Sequence, residues 1–118
     1  MKRVFQTISL AMMVAAGGLA YAGSTELSAG SKLLEEANGA MHQSMSMDMT
    51  GDVDVDFMLS MIPHHQGAVD MAKIVIEHGA DPEVRKLAEE VVKAQESEIA
   101  FMKDWLARKG VAVGHGAH

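Results

Sequence analysis

The sequence predicts an all-α fold, a long antiparallel helical hairpin with a short helix before it. Two observations carry this expectation. Apolar residues recur at helical spacing over residues 53–79 and again over 82–109. Between them stands Gly79-Ala80-Asp81-Pro82, in which Gly79 ends one helix, Asp81 caps the next and Pro82 opens it. A connection this short folds the two helices back on each other.

The elements follow in chain order. Met1-Lys2-Arg3, an apolar run from Val4 to Ala20, and Ala20-Tyr21-Ala22 read as a secretory signal over residues 1–22. Gln6, Thr7, Ser9 and Gly17-Gly18 interrupt the run, which is shorter than the roughly 20 apolar residues a membrane span needs, so cleavage is preferred to anchoring. Residues 23–30 suit a flexible leader, and the helical domain is expected over 31–109. Leu33, Leu34, Ala37, Ala40 and Met41 mark the first helix, weakened by Asn38-Gly39.

In the second helix, Asp54, Phe57, Met58, Met61, His64, His65, Ala68, Ala72, Val75 and Ile76 are expected on the inward face. Pro63 removes the donor that Leu59 would accept and is expected to bend the helix just before the two histidines. The third helix turns Val84, Leu87, Ala88, Val91, Ala94, Gln95, Glu98, Met102, Trp105 and Leu106 inward until Gly110 stops it. Residues 110–118 are expected to be a disordered tail. For a straight hairpin, facing residues have numbers adding to roughly 161, which sets His64 and His65 opposite Gln95 to Glu98.

Composition narrows the function classes. Of the 10 basic residues Lys2 and Arg3 leave with the signal, so 8 remain against 16 acidic ones. A net charge of −8 excludes a phosphate-binding surface, and no nucleic-acid partner is expected. There is no Cys, so an exported domain of this size relies on helix packing rather than disulfides. Eight of the 11 methionines lie beyond the signal. Methionine is a flexible core filler, so only placement can make it a ligand.

The densest constellation is Met58, Met61, His64 and His65, with Met102 expected across the hairpin. Spacings of three and four residues set thioethers and imidazoles side by side, and soft sulfur with imidazole suits Cu(I). The plainer reading is a pair of core histidines satisfied by Gln95 and Glu98. Glu98, Gln95 and Asp54, all expected inward, are candidates for orienting a ligand histidine. A second cluster, Met41, His42, Met45, Met47 and Met49, alternates Met with Ser and Asp. These methionines cannot all face one way on one helix, which favours loose capture of Cu(I) or Ag(I) over core packing. His115 and His118 in the tail and His78 beside the Gly79 turn need no metal role.

Asp54, Phe57, Met61-Ile62, His64-His65, Ala68, Met71-Ala72, Leu87-Ala88, Gln95, Glu98-Ile99, Met102 and Trp105 together resemble the family of domain of unknown function 305. That is a ferritin-like helical group that includes periplasmic copper-resistance proteins. The resemblance implies a helical bundle in the periplasm that binds copper through Met and His and contributes to copper tolerance. The segment before the hairpin is short for a complete four-helix bundle, so the expected bundle is partial, with homodimerisation through the first helix as the means of completing it.

The reading is therefore an exported, periplasmic or secreted copper-binding protein that sequesters or transfers Cu(I), with copper-handling envelope proteins as partners. It is not expected to be an integral membrane protein once the signal is cleaved. Two alternatives stand beside it. A metal-free helical interaction or envelope stress module would use the same apolar face for a partner. A ferritin-like di-iron protein needs Glu three residues before His, a spacing found nowhere in the chain, and no catalysis is expected.

Overall fold

In a computed structural model that describes residues 26–113, the chain forms α1 (Ala29–Ser44), α2 (Val53–His78) and α3 (Pro82–Arg108), with no strand among the described residues. The all-α hairpin with a helix before it is the architecture that forms. The expected signal over 1–22 and the histidines at 115 and 118 lie outside the described residues. No helix among the described residues is long and apolar enough to cross a membrane.

Each helix starts on a side chain that accepts its free backbone donors. Ser28 accepts from the Ser31 N–H, Asp52 from Asp54 and Val55, and Asp81 from Glu83 and Val84. α1 begins at Ala29, inside the expected leader, and runs unbroken through Asn38-Gly39. α3 ends on Gly110 at φ 73°, with Gly110 N–H donating to Ala107 and Val111 N–H to Leu106. This left-handed glycine cap folds Val111 back onto the turn it follows. Val111 and Val113 consequently pack against the core, where the sequence predicts a disordered tail from 110. Gly79 works differently: its φ is −73°, and a Cβ there would sit 2.5 Å from the Val75 carbonyl oxygen. The position needs glycine for space, not for a left-handed backbone.

The core lies between α2 and α3. Val55, Ile62, Val69, Ile99, Met102 and Leu106 form its buried centre, with Met58, Leu59, Met61, Val92 and Trp105 packed around it. The seam is rotated from the expected face. Asp54, Phe57 and His64 on α2, and Val84, Leu87, Ala94 and Glu98 on α3, are exposed. Val55, Ile62 and Val69, each seven residues apart, and Ile99 take the interior instead. The cause is that both helices carry two apolar stripes. On α3 one stripe runs Ala88, Val92, Gln95, Ile99, Met102, Leu106 and the other runs Val84, Leu87, Val91, Ala94, Phe101, Trp105, both at spacings of three and four or multiples of them. Periodicity detects both equally; the hairpin buries the first and exposes much of the second.

α1 packs on α2 and makes no contact with α3, so the three helices lie side by side with α2 in the middle. The approach is close. A Cβ on Gly67 would meet the Met41 side chain at 2.5 to 2.9 Å, and one on Gly30 would meet the His78 Cβ at 2.9 Å. Gly67→Ala is therefore expected to destabilise the α1–α2 contact by about 1–3 kcal/mol through overpacking. The better helix propensity of Ala returns only about 0.5–1 kcal/mol. Thermal melting of the variant checks this, with loss of α1 protection in hydrogen exchange as the local readout. One open side of the layer carries Gln66, Asp70, Lys73 and Glu77, all exposed; the other shows Phe57, His64, Leu87 and Phe101.

Candidate metal centre

The site is built from two helical steps that face each other. On α2, Met61 and His65 are four residues apart, so one stands a turn above the other. On α3, Glu98 and Met102 repeat that spacing. His65 Nε2 meets Glu98 Oε2 at 2.5 Å, which fixes the register of the hairpin. Those numbers add to 163, as do 61 and 102, so Met61 lies level with Met102 across the interface. The same register sets Met58 level with Trp105, and both line an open cleft of about 350 Å³ with Val53, Asp54 and Phe57.

His65 is the residue that the packing singles out. Its side chain is 15% exposed, whereas that of Glu98 is 61% exposed. The buried carboxylate expected at Glu98 is thus corrected: the helix rotation leaves it at the rim, hydrated and without a large desolvation cost. His65 Nδ1, by contrast, is buried and has no hydrogen-bond partner. In the tautomer that satisfies the Glu98 contact, Nε2–H donates to the carboxylate and Nδ1 keeps its lone pair. A proton on Nδ1 would be a buried donor with no acceptor, which costs about 1–3 kcal/mol. The arrangement leaves a fixed imidazole lone pair in an interface whose nearest turns carry thioethers.

His64 does not share that environment. Its ring stands edge-on to that of His65 with centroids 6.2 Å apart, and it is exposed on another face of α2. The expected inward placement of His64 is corrected: adjacent residues on a helix point about 100° apart, and His65 is the one that reaches Glu98 across the α3 seam. Asp54 is also exposed, on the wall of the cleft, instead of inward. Gln95 is half-buried beside the seam.

The residues 41–49 split as well. Met41 is the side chain seated on Gly67, a packing contact between α1 and α2. Met47, in the connection, receives a hydrogen bond from Ser60 Oγ to its sulfur at 3.5 Å. Met45 is half-buried, while His42 and Met49 are exposed. The connection is tied down by Asp56, whose carboxylate accepts from Thr50 N at 2.8 Å, Thr50 Oγ1 at 2.7 Å and Gly51 N at 3.2 Å. Sequence reasoning missed Ser60, Gly67 and Asp56. Gly67 carried a signal: a glycine inside a strongly helical run marks a close approach.

The Thr50 backbone N–H and hydroxyl hold the Asp56 carboxyl below the usual carboxylate range, with a smaller contribution from the Gly51 N–H. A depressed pKa in the folded state means that this anchor is fully present above the ordinary value and is lost as pH falls through the depressed one. Order in residues 45–52 is therefore expected to persist through pH 5 and to loosen only in stronger acid. Methionine methyl spectra of Met47 and Met49 during acid titration check this, and Asp56→Asn removes the dependence.

Among the described residues no three His, Cys, Asp or Glu side chains gather into a cage. The profile of the family described as domain of unknown function (DUF305) matches residues 54–117, more than half of the chain. The chain belongs to the DUF305 family. The DUF305 match covers α2, α3 and the residues after them, hence both sides of the His65 site. An uncharacterized protein of Acanthamoeba polyphaga mimivirus is 34% identical over 53 residues, 45% of this chain and 35% of that protein. The chain thus spans about a third of the length of that relative.

Proposed function

We propose that this DUF305 protein is an exported copper carrier that holds Cu(I) between α2 and α3 and sequesters or transfers it without turnover. The observation that carries the reading is His65, whose Nδ1 is buried and unpartnered while its other nitrogen is held by Glu98. Ligating histidines commonly donate their second ring N–H to a carboxylate, which sets both tautomer and ring angle. Met61 and Met102 lie one turn along the same two helices from His65 and Glu98 by register, and soft thioethers select Cu(I), or Ag(I), over harder ions. Met58 lines the open cleft and gives an ion a first sulfur on its way inward. Export rests on the Lys2-Arg3 start, the apolar run and the Ala20-Tyr21-Ala22 site, and gives a periplasmic or secreted location. Copper-handling envelope proteins are the expected donors or recipients.

The test is anaerobic reconstitution of residues 23–118 with Cu(I), followed by dialysis and metal analysis. Retention well above that of a variant lacking the methionine and histidine clusters supports the reading. Equal retention defeats it.

A second reading is favoured by the exposed stripe on α3, where Leu87 and Phe101 are each 59% exposed, with Phe57 of α2 58% exposed on the same side. Apolar residues at heptad spacing suit another helix, and a second copy of the chain would complete a bundle there. That is the homodimer in another form, since it joins through α3 and not α1. Light scattering at working concentration gives twice the chain mass if it forms.

A further inference from the structure

At the start of α2, aspartates stand at positions 52, 54 and 56, and two of them are already engaged. Asp52 caps the helix, and Asp56 holds Thr50 and Gly51. Asp54 is exposed, and its carboxylate meets no hydrogen-bond or ionic partner among the described residues. It lines the open cleft of about 350 Å³ together with Val53, Phe57, Met58 and Trp105. That volume falls within the roughly 300–1,000 Å³ of small-molecule sites, at the lower end.

The lining has a definite chemistry. Four side chains are apolar, two of those are aromatic, and the fifth is an anion. Val53 is 79% exposed and Phe57 58%, so the apolar wall is open to a ligand. The face of an aromatic ring is electron-rich and attracts a cation within about 6 Å of its centroid. Trp105 shows that attraction inside the chain: Lys109 Nζ lies 5.4 Å from its ring centroid, and Lys109 is not part of the cleft wall.

A bare hard cation does not suit this set, because it needs several oxygen ligands and the cleft offers one carboxylate. An anion would be repelled by Asp54. A neutral apolar molecule would leave the carboxylate without a partner while covering it, which is unfavourable. A cation whose charge is spread over alkyl groups meets each requirement: its alkyl surface packs on Val53, Phe57 and Met58, and its charge faces the rings and Asp54.

We propose that this cleft binds a small organic cation, an alkylated ammonium group, with the Trp105 and Phe57 rings and the Asp54 carboxylate as its partners. The site uses neither His65 nor thioether coordination, so it stands independently of the copper reading. A free solute and the trimethylammonium headgroup of a lipid present the same chemistry. Because the cleft is open, the bound cation keeps part of its hydration, and binding is weak and quickly reversed.

Trp105 is the single tryptophan of the chain, so its fluorescence reports the site directly. The experiment titrates the protein with choline, against sodium chloride at matched ionic strength. A saturable change in Trp105 emission is expected with choline alone. The uncharged alcohol in which carbon replaces the nitrogen of choline should bind about 2- to 5-fold more weakly, the factor that a cation–π contact at an exposed site contributes. Asp54→Asn and Phe57→Leu should each weaken choline binding by a similar factor of about 2 to 5. Lys109→Gln, which takes a competing cation off Trp105, should strengthen it about twofold. Both Asp54 and Phe57 are exposed, circular dichroism melting confirms that the variants fold, and Asp54→Ser replaces Asp54→Asn if that one does not. Phosphatidylcholine vesicles that shift Trp105 emission where free choline does not, with the shift reduced in Asp54→Asn, assign the ammonium group to a lipid headgroup. The proposal is overturned if neither probe changes the emission, if the uncharged alcohol binds as tightly as choline, or if Asp54→Asn and Phe57→Leu leave binding unchanged. None of these outcomes bears on Cu(I) uptake at His65.

Discussion

His65→Ala lowers Cu(I) affinity at the tighter site by more than the roughly 10- to 100-fold that the loss of an outer hydrogen-bond partner costs. Nδ1 of His65 is buried and has no hydrogen-bond partner, so on the proposed copper reading its removal leaves only thioethers. Glu98→Gln, which keeps the shape but weakens the acceptor for Nε2–H, should fall within that 10- to 100-fold range. His64→Ala, one residue away, leaves the tighter affinity unchanged. Competition against a Cu(I) chelator of known affinity measures all three. Equal losses from His64→Ala and His65→Ala would mean one shared centre, contrary to the separation seen between their environments.

Leu106→Ala gives the largest stability effect, a loss of about 3–4 kcal/mol. Leu106 is 0% exposed, sits in the buried cluster with Ile99 and Met102, and its carbonyl receives the Val111 N–H that folds the chain end back. Removing three buried carbons leaves a cavity that two packed helices cannot close fully. Against a total stability on the order of 5–15 kcal/mol, this is a large fraction. Leu87→Ala on the exposed stripe of α3 is expected to change stability by no more than about 0.5 kcal/mol in the monomer. Urea midpoints with unchanged slope report both. A Leu87→Ala cost that grows with protein concentration would place the stripe in a dimer interface.

Much of the fold was legible because the punctuation was strong. Asp81-Pro82 and Gly110 mark helix ends by steric and capping rules that hardly depend on tertiary context, and α2 and α3 end within one residue of the expected limits. The first residues of the expected tail differ from the expectation because Val111 and Val113 pack against the core, a contact that follows from the Gly110 cap. The inward faces were less legible for a physical reason. α2 serves two neighbours and α3 has two apolar stripes, so a helical wheel ranks Phe57 beside Met61 although only one of them reaches the seam.

For the site, the level of the His65 contact was readable from turn length, since antiparallel helices joined by a short turn have little freedom to slide. Which of two adjacent histidines faces α3 was not, because a rotation of half a residue spacing exchanges them. Nor could the sequence separate Met41 from Met47. That distinction comes from Gly67, whose missing side chain makes the notch that Met41 fills.

On the proposed copper reading, Nδ1 of His65 takes the ion while Nε2 stays with Glu98. Imidazole nitrogen spectra of uniformly labelled protein, recorded with and without one equivalent of Ag(I), test it most directly. The expected result is a large shift at His65 Nδ1, with Nε2 still protonated and the His64 nitrogens little changed. A shift at His65 Nε2 with release of Glu98, or unchanged His65 nitrogens in protein that has taken up the ion, would contradict it.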